Sequence, residues 1–87
     1  MLMSQLILQN AEMKLYIVGH TDNEGAFDYN MNLSQKRGYA VMEALLKKHN
    51  IDPERLKAYG VGMLSPKATN DTQKGRQMNR RVELVKQ

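Results

Sequence analysis

The apolar positions of the chain fall into short blocks typical of strands and into periodic stretches typical of helices. Residues 14–19 form an apolar run rich in β-branched and aromatic side chains that ends at a glycine, which predicts a buried strand. Similar runs at 55–62 and 80–86 predict a second and a third strand. Residues 4–12 predict the tail of an amphipathic helix, and a short helix is predicted around 74–78.

The segment from about residue 27 to residue 49 predicts one long helix with a single inward stripe. Arg37 falls in the middle of this stripe, and Asn30 lies on the same line closer to the start of the helix. We therefore expect the helix to pack by its middle and to carry Asn30 and Arg37 on its inward side. The apolar members of the stripe are Leu33, Ala40, Val41 and Ala44.

The order of these elements favours an α+β sandwich with helices packed on one face of the sheet. The 87 residues, of which 41% are hydrophobic and 25% charged, are expected to form a single domain over 1–87. The absence of cysteine excludes disulfides and thiolate metal sites. No apolar run is long enough to span a bilayer, and the apolar start lacks the basic leader of a signal peptide.

The net charge of +4 suggests an anionic or mixed-charge partner. A small nucleic-acid-binding domain that uses the basic C-terminal stretch is the alternative function. Against it, the five aromatic residues form no stacking series and no recognition-helix motif is present. A hydrolase built on His20 and Asp22 is less favoured, because a nucleophile at suitable spacing and a metal set are both lacking. We expect no catalysis, cofactor or metal.

The candidate chemistry lies where the first strand ends and the long helix begins. The strand delivers Asp22 to the edge of the sheet, and the helix delivers Asn30 and Arg37. A carboxylate and a guanidinium held apart in one pocket suit a zwitterion such as an amino-acid head group. The alternative is a structural ion pair between Asp22 and Arg37. His20 is more simply a structural residue, and Glu24, two residues after Asp22, is more simply solvated than part of a carboxylate dyad.

Four motifs, in this order, resemble the C-terminal domain of the OmpA family, which is shared by Pal lipoproteins and flagellar stator proteins of the MotB type. The resemblance covers about residues 13–86 and implies a mixed sheet with helices on one face. It also implies binding of peptidoglycan without cleavage, the ligand being meso-diaminopimelate of the stem peptide. The motifs are GHTDNEG, YNMNLSQKRG with its N-x-x-L-S-x-x-R spacing, YGVGMLSP and TQKGRQMNRRVEL.

Carried over by motif, the resemblance implies a role for each site residue. Asp22, preceded by Thr21 in the T-D pair, would take the ammonium of diaminopimelate, and Arg37 would take its carboxylate. Asn30 would add a hydrogen bond. Of the adjacent arginines at 80 and 81, whose side chains point to opposite faces of a strand, only one can face the pocket. The resemblance assigns that polar contact to Arg80, while Asn79 would hold the turn; the alternative for both arginines is a solvated edge.

The start of the chain differs from the family pattern, which begins one strand and most of a helix earlier. This suggests a domain that is partial at its N-terminus. An unpaired sheet edge would then be available to another chain, and a homodimer could form through it. The alternative is that the first segment, MLMSQLILQ, covers this edge within the same chain. Gly38 stands where the family usually has alanine and should weaken the helix slightly. The resemblance implies a periplasmic location, tethered to the outer membrane or cell envelope.

Overall fold

The computed structural model describes residues 7–87, and its elements follow the order expected from the sequence. Residues 7–9 are helical, whereas helix had been predicted over 4–12, of which 4–6 lie outside the described residues. Between 10 and 13 the chain turns, and Arg55 donates to the carbonyls of Met13 (2.9 Å) and Ile7 (2.5 Å). The remaining elements are β1 (Leu15–His20), α1 (Phe27–His49), a 3-10 turn (Pro53–Arg55), β2 (Leu56–Gly60), α2 (Gln73–Asn79) and β3 (Arg81–Lys86).

The three strands form a mixed sheet in the order β2-β1-β3. Strand β1 runs parallel to β2, with Leu15 opposite Leu56, and antiparallel to β3, with His20 opposite Arg81. The expected α+β fold with a mixed sheet is thus confirmed. Strand β2 is shorter than the run that predicted it, because residues 53–55 form a turn and the backbone of Gly62 has a positive φ of 58°. Strand β3 begins one residue later than predicted, because Arg80 caps α2.

Helix α1 packs across β1 and β2, but its buried stripe differs from the predicted one. The buried residues of the helix are Asn30, Ser34 and Gly38, and Arg37 is exposed. Of the residues predicted to face inward, Asn30 is buried as expected and Leu33 and Val41 are half-buried, whereas Ala40 and Ala44 are exposed.

Small residues determine this packing. A Cβ atom at Gly19 of β1 would lie 2.0 Å from the carbonyl oxygen of Ser34, and one at Gly60 of β2 would lie 2.2 Å from the amide nitrogen of Gln35. A Cβ at Gly38 would lie 2.8 Å from the carbonyl oxygen of Tyr59. The helix backbone therefore rests almost directly on the strand backbones. Gly38 permits this close approach because it has no side chain. The slight weakening of the helix expected for a glycine at this position is a separate effect.

The hydrophobic core lies at the end of the sheet where β1 and β2 begin. Its buried members are Ile7, Leu15, Ile17, Ile51 and Leu56. The opposite end, where the two parallel strands finish, is left to polar side chains. Within residues 7–87, no helix has both the length and the apolar character needed to cross a bilayer.

Candidate functional site

The polar end of the sheet begins with three consecutive buried residues, which are His20, Thr21 and Asp22. The amide of Thr21 donates to the carbonyl of Gly62 at 2.8 Å, so the β1–α1 loop (residues 21–26) is tied to the loop that follows β2. The Thr21 hydroxyl donates to the carbonyl of Asp22 at 2.8 Å. Thr21 therefore holds the backbone that presents Asp22.

The carboxylate of Asp22 is engaged on both oxygens. Its Oδ1 accepts the amide N–H of Glu24 at 3.0 Å, and its Oδ2 is ion-paired with Nη1 of Arg80. Burial by itself raises the pKa of Asp22, but the Glu24 N–H and the Arg80 guanidinium outweigh it and hold this pKa below its ordinary value. Asp22 is therefore a fixed, buried anion.

Arg80 reaches Asp22 from the end of α2, and a second ion pair supports it. One helical turn earlier, Arg76 Nε lies 3.5 Å from Oε2 of Glu24. Residues four apart on a helix lie on the same side, so one side of α2 approaches the β1–α1 loop with two cations. Glu24 is thus ion-paired with Arg76, although its side chain remains 67% exposed, as expected for a solvated residue.

Two asparagines shape the loops around the site. Asn30, buried in α1, donates from Nδ2 to the carbonyl of Glu24 at 2.9 Å. Asn79, which is fully buried, accepts on Oδ1 from the amides of Lys67 (2.7 Å) and Ala68 (2.8 Å). Its Nδ2 donates to the Ala68 carbonyl and to Oδ1 of Asn70. The amide groups of both asparagines are therefore used to hold loops.

Arg37 lies at the surface, so the prediction that it points inward was wrong. The structural ion pair considered between Asp22 and Arg37 is also absent, because Arg80 takes the place beside Asp22. In the described part of the chain, the Arg37 side chain makes no hydrogen bond or ion pair. It lines an open groove of about 460 Å³ between α1 and β3, which we call the arginine groove. Its lining residues are Arg37, Ala40, Val41, Arg80, Arg81 and Val82.

The second arginine of the N-R-R motif has a structural role. Arg81 Nε contacts Oε2 of Glu83 at 2.6 Å, and its other nitrogens donate to the carbonyls of Asn79 and Ser65. Arg80 precedes β3, which begins at Arg81. As expected, only one of the two arginines, Arg80, contacts Asp22. The alternative in which both arginines are solvated at the sheet edge does not hold for Arg81, which is bonded within the chain.

His20 is buried at the end of β1, and neither of its ring nitrogens has a hydrogen-bond partner in the part of the chain that the structure describes. Its Nε2 lies 3.8 Å from Oε1 of Glu83. Burial, followed by the charge of Arg81, lowers the pKa of His20, and the nearby Glu83 and the backbone of Ser65 offset this only in part. Across residues 7–87, no group of three His, Asp or Glu side chains is arranged to hold a metal ion.

Sequence reasoning missed two residues of this region, Ser34 and Arg76. The Ser34 hydroxyl accepts the Gly62 amide at 2.9 Å and thereby joins α1 to the loop after β2. Its position inside the N-x-x-L-S-x-x-R motif was the available signal. Arg76 had been counted only as part of a basic stretch, and its spacing of four from Arg80 was the signal there.

Comparison with known proteins identifies the family. The model of the OmpA family matches residues 2–80. The chain belongs to the OmpA family. It is 48% identical over 67 residues to outer membrane protein A of Bordetella avium, covering 77% of this chain and 34% of that protein. The chain spans about a third of the length of curated relatives that it matches.

Solved structures of related proteins share the fold of this OmpA-family chain. The peptidoglycan-associated lipoprotein of Burkholderia pseudomallei matches with a TM-score of 0.88 at 30% identity, over 98% of this chain and 71% of that one. The cell wall anchor of the type VI secretion system of Pseudomonas aeruginosa matches with a TM-score of 0.81 at 31% identity, over 97% and 60%. These relatives are proteins of the outer membrane and cell wall, as the sequence resemblance implied.

Proposed function

We propose that this OmpA-family chain binds peptidoglycan, without cleaving it, through the free end of meso-diaminopimelate in the stem peptide. The observation that carries the proposal is that Arg80 is ion-paired with the buried carboxylate of Asp22 and also lines the same groove as the exposed Arg37. The free end of diaminopimelate carries an ammonium and a carboxylate, for which the Asp22 carboxylate and the Arg37 guanidinium are complementary.

Each site residue has a role in this proposal. Asp22 takes the ammonium, and Arg37 takes the carboxylate with paired hydrogen bonds. Thr21, Asn30 and Asn79 act through the loops that they hold. The names of two relatives, a peptidoglycan-associated lipoprotein and a cell wall anchor, support the assignment. We further propose that the chain is a periplasmic domain of an envelope protein and that it anchors this protein to the cell wall.

The arrangement of the basic residues disfavours the nucleic-acid alternative. Three arginines of the C-terminal stretch, Arg76, Arg80 and Arg81, are paired with acidic side chains of the same chain. Phosphate contacts require cations that are available to the ligand, and they weaken steeply with added salt. A salt titration separates the two functions, because a zwitterion site responds only weakly.

Binding is tested by calorimetry with a stem peptide that contains meso-diaminopimelate and by pull-down with insoluble cell wall. Arg37→Gln should weaken binding about tenfold or more, because a charge-assisted pair of hydrogen bonds is lost. Asp22→Asn should also abolish most binding, with circular dichroism confirming the fold. Lys36→Gln, the same loss of charge on the neighbouring exposed residue, is the control. Unchanged affinity in both site variants would reject the proposal.

The absence of cleavage is tested separately. Incubation of the chain with purified cell wall should release no soluble muropeptides. Release that disappears in Asp22→Asn would show that the site is catalytic and would overturn this part of the proposal.

The proposal extends to a homodimer that forms through the sheet. Within residues 7–87, β3 pairs with β1 on one side only, and the exposed Val85 lies on it. An unpaired strand edge is a template for another strand. Light scattering after size exclusion should therefore show a dimer whose fraction grows with concentration, whereas a monomer at every concentration would refute it.

A further inference from the structure

We propose that Arg80 is an internal latch: it occupies the Asp22 carboxylate in the free protein, and the ammonium of the ligand displaces it. Once released, Arg80 turns along the arginine groove to join Arg37 at the carboxylate of the same ligand. This inference rests on the proposed function and adds a positioning and specificity role for Arg80.

The first support is that Asp22 has little room for an additional cation. Its side chain is only 8% exposed, one oxygen is held by the Glu24 amide, and the other is held by Arg80. Two cations on one buried carboxylate repel each other at short range. An incoming ammonium therefore has to replace the Arg80 guanidinium.

The second support is that Arg80 is free to move while its backbone is fixed. Its amide donates to the carbonyl of Arg76 at 3.2 Å, which anchors the main chain at the end of α2. Its side chain is 38% exposed, and beyond Asp22 it has no other hydrogen-bond or ion-pair partner in the described residues. A long side chain of this kind changes rotamer at small cost.

The third support is that the arginine groove provides a second position for the Arg80 guanidinium after it leaves Asp22. Arg80 and Arg37 line the same open groove, with the apolar surface of Ala40, Val41 and Val82 beside them. Two adjacent guanidinium groups repel each other unless an anion lies between them. A ligand carboxylate removes this repulsion, so release of Arg80 is favourable only when the ligand supplies one.

The latch therefore selects zwitterions over simple amines. A ligand with an ammonium alone breaks the ion pair between Asp22 and Arg80 and supplies no carboxylate to which Arg80 can bind instead. A ligand with both groups replaces one ion pair by two. Specificity arises partly from the penalty imposed on the wrong ligand.

Two wall peptides that differ in a single carboxylate test this directly. The diaminopimelate peptide ends in a zwitterion, whereas the corresponding lysine peptide carries only the ammonium. Calorimetry on the 87-residue chain gives the affinity for each. In Arg80→Gln, affinity for the lysine peptide should rise about threefold or more, while affinity for the diaminopimelate peptide falls, so the preference drops about tenfold.

Control variants separate the latch from other roles of Arg80. Arg80→Lys keeps the charge without the planar fork and should retain an intermediate preference. Lys74→Gln removes one exposed charge from the same helix and should leave both affinities unchanged.

The outcomes are distinct. A higher affinity of Arg80→Gln for the lysine peptide supports the latch. An unchanged affinity for that peptide, with a loss for diaminopimelate alone, makes Arg80 a simple contact and overturns the latch. An equal loss for both peptides makes its role structural and also overturns it. Failure of the wild-type chain to bind either peptide rejects the proposed function, and the latch with it.

Discussion

The hydroxyl of Ser34 accepts the amide hydrogen of Gly62 at 2.9 Å, although the two residues are 28 positions apart in the chain. The same hydroxyl donates to the carbonyl of Met31 at 2.8 Å, so its direction is fixed within α1. The Gly62 carbonyl in turn accepts the Thr21 amide. One buried side chain thus connects the long helix, through the loop after β2, to the loop that carries Asp22.

Replacement of Ser34 by alanine should destabilise the fold by about 1–3 kcal/mol, because the buried Gly62 N–H is left without an acceptor. Urea denaturation followed by circular dichroism measures the loss. Ser65→Ala removes the same hydroxyl from an exposed loop residue and should cost less than about 0.5 kcal/mol. Equal stabilities of the two variants would show that the Ser34 bond contributes nothing.

The sequence pattern predicted the number, type and order of the elements well, because strand runs and helix periodicity depend on local composition. It failed in the phase of α1. The stripe was placed by its apolar side chains. Val41 does pack against the core, but the buried positions of the helix are Asn30, Ser34 and Gly38, and the helix and strand backbones meet at Ser34 and Gly38. A close approach of two backbones requires small residues and no apolar side chains, so it produces no hydrophobic pattern. The sequence shows it only as small residues in the helix and glycines in the strands that face them.

The candidate site shows a similar division. Motif resemblance selected Asp22 and Arg80, but the residues themselves suggested a pair between Asp22 and Arg37. The true partner lies 58 positions away, and its proximity depends on where α2 ends relative to β1. Such a long-range placement is set by the whole fold and cannot be obtained from the spacing of residues along the chain.

Glycines at the contact between α1 and the sheet should differ in their tolerance of alanine. Gly19→Ala places a methyl group 2.0 Å from the Ser34 carbonyl oxygen, a backbone atom that cannot move freely, and should cost about 3 kcal/mol or prevent folding. Gly38→Ala places it 2.8 Å from the Tyr59 carbonyl oxygen. That substitution regains about 1 kcal/mol of helix propensity, so its net loss should be smaller.

Thermal unfolding of the two glycine variants checks this order, with Ala40→Gly in the exposed part of α1 giving the propensity contribution alone. A Gly38→Ala variant less stable than Gly19→Ala would contradict the packing described for the helix.

Asn79 should be more important for stability than its polar character suggests. It is fully buried, and its amide group forms four hydrogen bonds with residues 67–70. Asn79→Ala leaves two backbone amides without acceptors and should cost about 3 kcal/mol. Asn32→Ala, at an exposed position of α1, is the matched control. Hydrogen exchange should show lost protection at Lys67 and Ala68, and retained protection there would argue against the clamp.

Stability should fall in two steps as the solution is acidified. The pKa of folded His20 lies below its ordinary value of 6.5, because burial and Arg81 disfavour the charged ring. The unfolded chain then binds more protons than the folded chain, so stability falls as the pH decreases from about 6.5 toward the lowered value. The pKa values of Asp22 and Glu83 are also lowered, from 3.8 and 4.5, so their contribution is present above these values and is lost in more acidic solution.

The variant His20→Gln separates the two steps, because it removes the histidine whose pKa is lowered on folding and leaves Asp22 and Glu83 in place. The free energy of unfolding, measured by urea denaturation at each pH, should then lose the part of its fall between about pH 7 and 5 that His20 contributes. It should still fall at lower pH through Asp22 and Glu83. The comparison is made on the slope with pH, which does not depend on any constant loss of stability caused by the substitution. His49→Gln makes the same chemical change at the last residue of α1 and should retain the upper step, since His20 is intact. An upper step of unchanged size in His20→Gln would assign that step to another group.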